Sequence, residues 1–363
     1  MVDIAGHRMM QLMDKDGVTL IPLLGMDREE LGVLAEAEGS RSFRGNQLAD
    51  WLYRHQATDF DQMTNLPASL RDSLRRDYTV GRSRVVERQH SIDGTIKLLL
   101  ELADGVRVET VGLPHEGRYS CCVSTQAGCT VGCRFCATGQ SGFQRNLTAG
   151  EMVDQVLSIN QFLAEKPVSG RDKVDHIIMM GMGEPLLNYS ATVKALRLMS
   201  AEMGISPRRL TVSTIGHVTG INRLSREQLP VTLAISLHAP DDRLRKTLIP
   251  GFTRWKITEI IEAGRRYVAQ TGRRLTFEYC LLDGVNDSVP HARALSSLLS
   301  GLNCHVNIIP FNPAEGLPYR SSSPRRTRDF IGVLAAARIQ VTERVRRGAD
   351  IDAACGQLRR RGV

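Results

Sequence analysis

Residues 120–137 read SCCVSTQAGCTVGCRFCA, and the fold is decided here. Ser120 to Ser124 form a short run of strand character that empties into a loop carrying Cys129, Cys133 and Cys136 at Cys-x-x-x-Cys-x-x-Cys spacing. Three soft thiolates this close together can converge on a cubane iron–sulfur cluster, which leaves one iron without a protein thiolate. A structural zinc site would normally demand a fourth thiolate or histidine, and more often pairs two Cys-x-x-Cys knuckles.

Downstream of the loop, strand and helix patterns alternate. Thr148 and Glu151 have capping-box spacing for a helix running through Phe162 and Leu163. Further strands are expected at His176 to Met180, Leu210 to Ser213, Val231 to Leu237, Leu275 to Leu281 and Val306 to Ile309. Helices are expected at Val193 to Met203, Ile257 to Val268 and His291 to Leu299, with Gly204, Gly272 and Gly301 as stops. Ser323 and Pro324 suit the cap and first turn of a last helix, before a strand at Ile339 to Thr342. Apolar strands alternating with helices imply a parallel sheet with function in the loops after the strands. The expected fold class is therefore α/β, with a partial β/α barrel core at residues 118–343; periodicity alone does not close the barrel.

Residues 1–84 read as a small, mainly helical accessory domain, which either covers the barrel or, through its basic segments Arg71 to Arg76 and Arg82 to Arg84, serves as an RNA-binding domain that positions the substrate. Phe43, Gln47, Leu48, Trp51 and Leu52 share one face, and Leu66, Leu70 and Leu74 repeat at helical spacing. Residues 85–117 form a connecting strand extension, with Thr95 to Leu102 and Val106 to Leu113 paired about the turn Ala103, Asp104 and Gly105. Residues 344–363 are polar and glycine-punctuated and read as a mobile tail carrying Cys355.

A chain of 363 residues with 42% hydrophobic composition can enclose a large core and a cofactor cavity. The net charge of +8 favours a polyanionic partner, nucleic acid first, although an ordinary arginine-rich surface has the same signature. Basic segments at Arg71 to Arg76, Arg82 to Arg84, Arg325 to Arg328 and Arg344 to Arg347 are the candidates for phosphate contact. Five of the eight cysteines lie between Cys121 and Cys136, which favours metal or redox chemistry over a disulfide scaffold. The opening MVDIAGHRMMQLMDKDG has no continuous apolar core of a leader, and the apolar runs are too short to cross a bilayer. A cytoplasmic protein without a membrane partner is expected.

The cysteine loop, with Phe135 before its third cysteine and Gly181, Met182, Gly183, Glu184 and Pro185 after the second apolar strand, resembles the radical S-adenosylmethionine superfamily. From FRGNQLADWLY through CCVSTQAGCTVGCRFCATGQSGFQRNL, GMGEPLLNY, SLHAPDDRLR and IPFNP to ACGQL, the chain resembles bacterial RNA adenine-C2 methyltransferases that act on ribosomal and transfer RNA. The resemblance implies one [4Fe-4S] cluster on Cys129, Cys133 and Cys136, and S-adenosylmethionine held by Gly183, Glu184, Ser213, Ser236, Leu237, His238 and Asn312. It implies that Cys355 carries the methyl group and bridges to RNA. Cys122 would release that bridge as a disulfide, and Glu109 would remove the C2 proton. The implied partners are 23S rRNA, tRNA and an electron-donor protein such as flavodoxin or ferredoxin. Methylation at adenine C8, or a non-enzymatic iron–sulfur RNA-binding role, are the alternatives. Outside the resemblance, Cys122 reads as a packed strand residue, Cys355 as a tail thiol and Glu109 as a surface carboxylate; Cys121, Cys280 and Cys304 read as structural.

Overall fold

The computed structural model describes residues 12–13 and 19–359, so most of the opening stretch and the last four residues lie outside the described residues. Strands β1 (Leu12–Met13) and β2 (Thr19–Pro22) lead into helices α1 (Arg28–Ala37), α2 (Arg44–Ala49) and α3 (Ala68–Asp77), closed by β3 (Tyr78–Thr79). Leu48, Leu52, Leu66, Leu70 and Leu74 are buried, as their spacing predicts. Phe43 instead precedes α2 and is 46% exposed, because the helical face begins one residue after it.

The connecting strands β4 (Arg84–His90), β5 (Ile96–Glu101) and β6 (Arg107–His115) form an antiparallel meander that pairs onto β7 (Arg118–Cys122). Then comes the hairpin of β8 (Gln126–Gly128) and β9 (Phe143–Asn146), which brackets the short helix α4 (Ala137–Gln140) and precedes α5 (Ala149–Glu165). The rest alternates: β10 (His176–Met179), α6 (Tyr189–Ala201), β11 (Leu210–Thr214), α7 (Val218–Leu224), β12 (Thr232–Ser236), α8 (Asp242–Leu248), α9 (Ile257–Thr271), β13 (Leu275–Leu281), α10 (Val289–Leu298), β14 (Cys304–Pro310), α11 (Pro324–Ala336) and β15 (Gln340–Glu343).

Local chemistry sets these boundaries. Thr148 Oγ1 accepts from Glu151 N at 3.1 Å and Glu151 Oε2 accepts from Thr148 N at 2.8 Å, a complete capping box. Gly272 takes φ +65° at the end of α9, where a side chain would be strained. Ser323 caps α11 with Pro324 in its first turn.

The main sheet runs β15-β14-β13-β12-β11-β10-β7-β6-β5-β4, parallel from β15 to β7 and antiparallel beyond. Among the described residues its two ends do not pair, so the barrel is partial. Residues 344–359 of the tail run from β15 to the β4–β5 turn and are docked, not mobile. Gly348 N donates to Asp93 at 3.0 Å, Ser91 Oγ to Asp350 at 2.6 Å, Lys97 Nζ to the Asp352 carbonyl at 3.2 Å and Ala137 N to the Gly356 carbonyl at 2.7 Å. Ala353, Ala354 and Leu358 are buried, so a sequence that is polar overall still supplies an apolar inner face.

Several arginines read as phosphate contacts are committed within the protein. Arg82 pairs with buried Asp154 on α5, Arg75 spans Asp61 and Asp72, and Arg326 reaches Asp287 at 2.8 Å. Among the described residues, no helix is long and apolar enough to cross a membrane.

Candidate active site

The three cysteines of the loop line one cavity at the C-terminal ends of the parallel strands, together with Gly183, Glu184, Ser213, Ser236, His238, Glu278 and Cys280. Backbone packing shapes the walls. Gly183 has φ +100°, and a Cβ there would lie 2.6 Å from Gln126 Cβ. Glu184 N donates to Gln126 Oε1 at 2.9 Å, so β8 and the glycine loop are fixed to one another. This is a main-chain cradle that a side chain at position 183 would fill.

Glu184 is buried, and its two oxygens accept from Leu186 N at 3.1 Å and Ile215 N at 2.8 Å. Burial still pushes its carboxyl up to about 7. A cationic ligand group would favour its charged form. His238 follows β12 with φ +58°, an uncommon backbone for a residue with a Cβ. Its Nδ1 accepts from Cys280 N at 3.0 Å, placing the ring proton on Nε2, and burial pulls its pKa down to about 3. Ser213 and Ser236 face each other at 3.4 Å. Leu237 is fully buried in the hydrophobic core and, unlike its neighbours Ser236 and His238, does not line the cavity.

The donor set fits a cubane cluster and S-adenosylmethionine. Burial pushes the thiol of Cys129 up to about 12 and raises those of Cys133 and Cys136, so their thiolates call for a cationic centre. Among the described residues, no three histidine, cysteine or acidic side chains are grouped to suit a single ion. Cubane ligands bind separate irons and stand further apart than ligands of one ion. Glu278 Oε2 and Asn312 Oδ1 are buried without a hydrogen-bond partner. Both border cavities, and both would be satisfied by the amine and hydroxyl donors of a nucleoside cofactor.

A second cavity adjoins the first. Cys122, at the end of β7, and Cys355, in the docked tail, line it together, and Cys355, Cys136, Met180 and Arg344 border both cavities. Asn312 belongs to this second wall and holds the tail by donating to the Cys355 carbonyl at 3.1 Å. All eight cysteines are free. Glu109 borders neither cavity; it is buried beside Lys97 at 3.2 Å and accepts from Arg359 N at 2.9 Å. The structure thus brings the two thiols to one cavity but places Glu109 beneath the tail.

Three lining residues escape a motif-led reading. Arg344, grouped by its neighbours with the RNA contacts, instead places its guanidinium 3.5 Å from Met180 Sδ within the cavity wall. Cys280 lines the cluster cavity and is not merely structural packing. Glu278 had a signal: a lone carboxylate within the apolar strand LTFEYCL.

A family model described as the ribosomal RNA large subunit methyltransferase N-terminal domain matches residues 21–80, and one for the radical SAM superfamily matches residues 123–294. The chain is 46% identical to a probable dual-specificity RNA methyltransferase RlmN of Gloeobacter violaceus, over 94% of this chain and 96% of that protein. It is also 46% identical to a protein of the same description from Thermus thermophilus, over 90% of this chain and 92% of that protein. A crystal structure of a radical SAM methyltransferase from Sphaerobacter thermophilus superposes with a TM-score of 0.90 at 47% identity, covering 94% of this chain and 99% of that one.

Proposed function

Since the chain belongs to the RlmN family of radical SAM RNA methyltransferases, whose cofactors are a [4Fe-4S] cluster and S-adenosylmethionine, we propose that it forms 2-methyladenosine in 23S rRNA and in tRNA. The carrying observation is that Cys122 and Cys355, far apart in sequence, line one cavity that adjoins the three-cysteine cavity.

Adenine C2 is electron-poor and carries no acidic hydrogen, so it offers no nucleophile for a direct transfer. When bound, the cluster and S-adenosylmethionine supply an electrophilic methyl group and, on reduction by a donor such as flavodoxin or ferredoxin, a radical able to remove hydrogen from a methyl group. Cys129, Cys133 and Cys136 hold the cluster. Gly183, Glu184, Ser213, Ser236, His238, the backbone of Leu237, and Asn312 hold the nucleoside and its methionine portion. Cys355 accepts the methyl group as a thioether and then bridges protein to RNA through that carbon. Once that carbon has added to C2, the tetrahedral adduct would give one electron back to the oxidised cluster and its C2 proton to Glu109, the tail having moved off that carboxylate. The Cys122 thiolate would then attack the Cys355 sulfur, forming a disulfide as the sulfur–carbon bond breaks and the released carbon takes up a proton to become the methyl group. The same reading assigns RNA binding to residues 1–84, a connecting role to 85–117, the barrel to 118–343 and the catalytic tail to 344–363.

Mass spectrometry of digested 23S rRNA and tRNA against authentic 2-methyladenosine and 8-methyladenosine tests the target carbon. Cys355→Ala should give neither carrier nor adduct, and Cys122→Ala should accumulate protein–RNA adduct on denaturing gels. An 8-methyl product would replace the C2 assignment. Normal turnover by Cys355→Ala would overturn the carrier role.

A further inference from the structure

The cysteine loop has two sides. Cys136 borders both cavities and adjoins the docked tail, where the Gly356 carbonyl accepts from Ala137 N at 2.7 Å. The stretch from Val131 to Arg134 packs instead on the end of α8 and the segment that follows it. There Arg134 N donates to the Leu248 carbonyl at 2.9 Å, and a Cβ on Gly251 would lie 2.3 Å from the Val131 carbonyl. The loop that would wrap the cluster is therefore itself part of an outer face.

That face is cationic. Arg134, Arg243, Lys246 and Arg254 are exposed on it. Two exposed carboxylates, Asp241 and Asp242, also lie here, each accepting a backbone N–H, from Leu244 at 2.8 Å and from Ile257 at 2.7 Å, so the four cations exceed them two to one. The remaining basic residue of α8, Arg245, points inward to the Ile215 carbonyl. Aromatic surface accompanies the charge: Arg254 lies 5.1 Å over the ring of the half-buried Trp255. A cationic rim with an aromatic anchor is the complement of an acidic protein surface.

We infer that this face docks the acidic one-electron donor protein that reduces the cluster. The inference rests on the cluster reading given above. The step is the passage of a single electron: the donor is oxidised by one electron, the cluster is reduced by one, and no atom moves. RNA is also an anion, but its target base must reach Cys355 on the Cys136 side of the loop. An electron needs only a short path through the cysteine loop, whose Thr130 and Arg134 are exposed on this face. Donor and RNA then occupy opposite sides and need not exclude one another.

The test uses the full-length holoprotein carrying Arg243→Glu and Lys246→Glu, two exposed residues that line neither cavity. Cluster reduction is followed by stopped-flow absorbance and electron paramagnetic resonance, with a reduced acidic flavodoxin or with dithionite. The flavodoxin rate should fall about tenfold or more at low ionic strength and approach the wild-type rate at high salt. The dithionite rate and the RNA dissociation constant should stay unchanged. The milder pair Arg243→Gln and Lys246→Gln should fall between, which keeps the assignment testable if the charge reversal lowers cluster content. An unchanged flavodoxin rate in both pairs overturns the docking face, as does a loss of RNA affinity without a change in that rate. A wild-type preparation whose iron–sulfur signal does not respond to dithionite would instead refute the underlying cluster reading.

Discussion

Glu184 shows how a single side chain can be strained by its own pocket. Its carboxylate receives two backbone donors, yet burial outweighs them and sets its pKa at about 7, above the ordinary value of 4.5. The folded protein without S-adenosylmethionine therefore holds this proton over a range where the unfolded chain has lost it. Stability from this group is fully present below about pH 4.5 and is lost as pH rises through about 7. Glu184→Gln should remove that slope. Between pH 5 and pH 8, the wild type should lose on the order of 3 kcal/mol relative to the variant in urea denaturation. On the proposed placement of Glu184 against the ammonium of S-adenosylmethionine, adding that ligand should recover much of the loss in the wild type alone. Parallel pH profiles for the two proteins would mean that Glu184 is ionised at no cost, and that burial does not govern it.

At the level of elements, what the sequence makes legible is what is local. The capping box at Thr148 and Glu151, the stop at Gly272 and the Ser323–Pro324 start each depend on residues within one turn, and all stand where their spacing puts them. The cysteine loop and the glycine cradle are legible for the same reason. Long-range placement is not. Nothing within residues 344–363 announces Asp93, Ser91 or Lys97 as partners, so a polar segment reads as free when it is docked. Glu109 is likewise placed by the tail, and Arg344 by the far side of the barrel. Asp350 is the most direct probe of this docking, since its carboxylate accepts from Ser91 Oγ at 2.6 Å and Ile92 N at 3.3 Å. Asp350→Ala should cost about 1–2 kcal/mol of local stability and speed amide exchange in the tail peptide spanning residues 349–358 by about tenfold. Exchange in β10 to β14 should not change. Equal protection in the tail of both proteins would show that its buried apolar residues hold it without this anchor.

Across the whole molecule, the accessory unit is joined to the barrel by charge and close packing. Arg82 and Asp154 form a pair whose side chains are 9% and 0% exposed, and Ser83 N adds a donor to the same carboxylate at 2.7 Å. Around it, Lys194 meets Glu30 at 2.6 Å and Arg28 meets Glu202 at 2.8 Å. Gly150 permits the approach, because a Cβ there would lie 2.1 Å from the Leu24 carbonyl. Removing one partner of a buried pair leaves the other charged and desolvated, at about 3–5 kcal/mol. The two tryptophans make this measurable, because Trp51 lies in the accessory unit and Trp255 in the barrel. With Asp154 retained, the two single-tryptophan variants should report one coincident denaturation transition, as expected for units joined by such contacts. Asp154→Ala should shift the Trp51 transition to clearly lower denaturant while the Trp255 transition moves less, separating the curves. Asp154→Asn keeps acceptor geometry for Ser83 N and should lie between. Coincident curves with an unchanged midpoint in Asp154→Ala would show that the apolar interface, and not the buried pair, holds the accessory unit against the barrel.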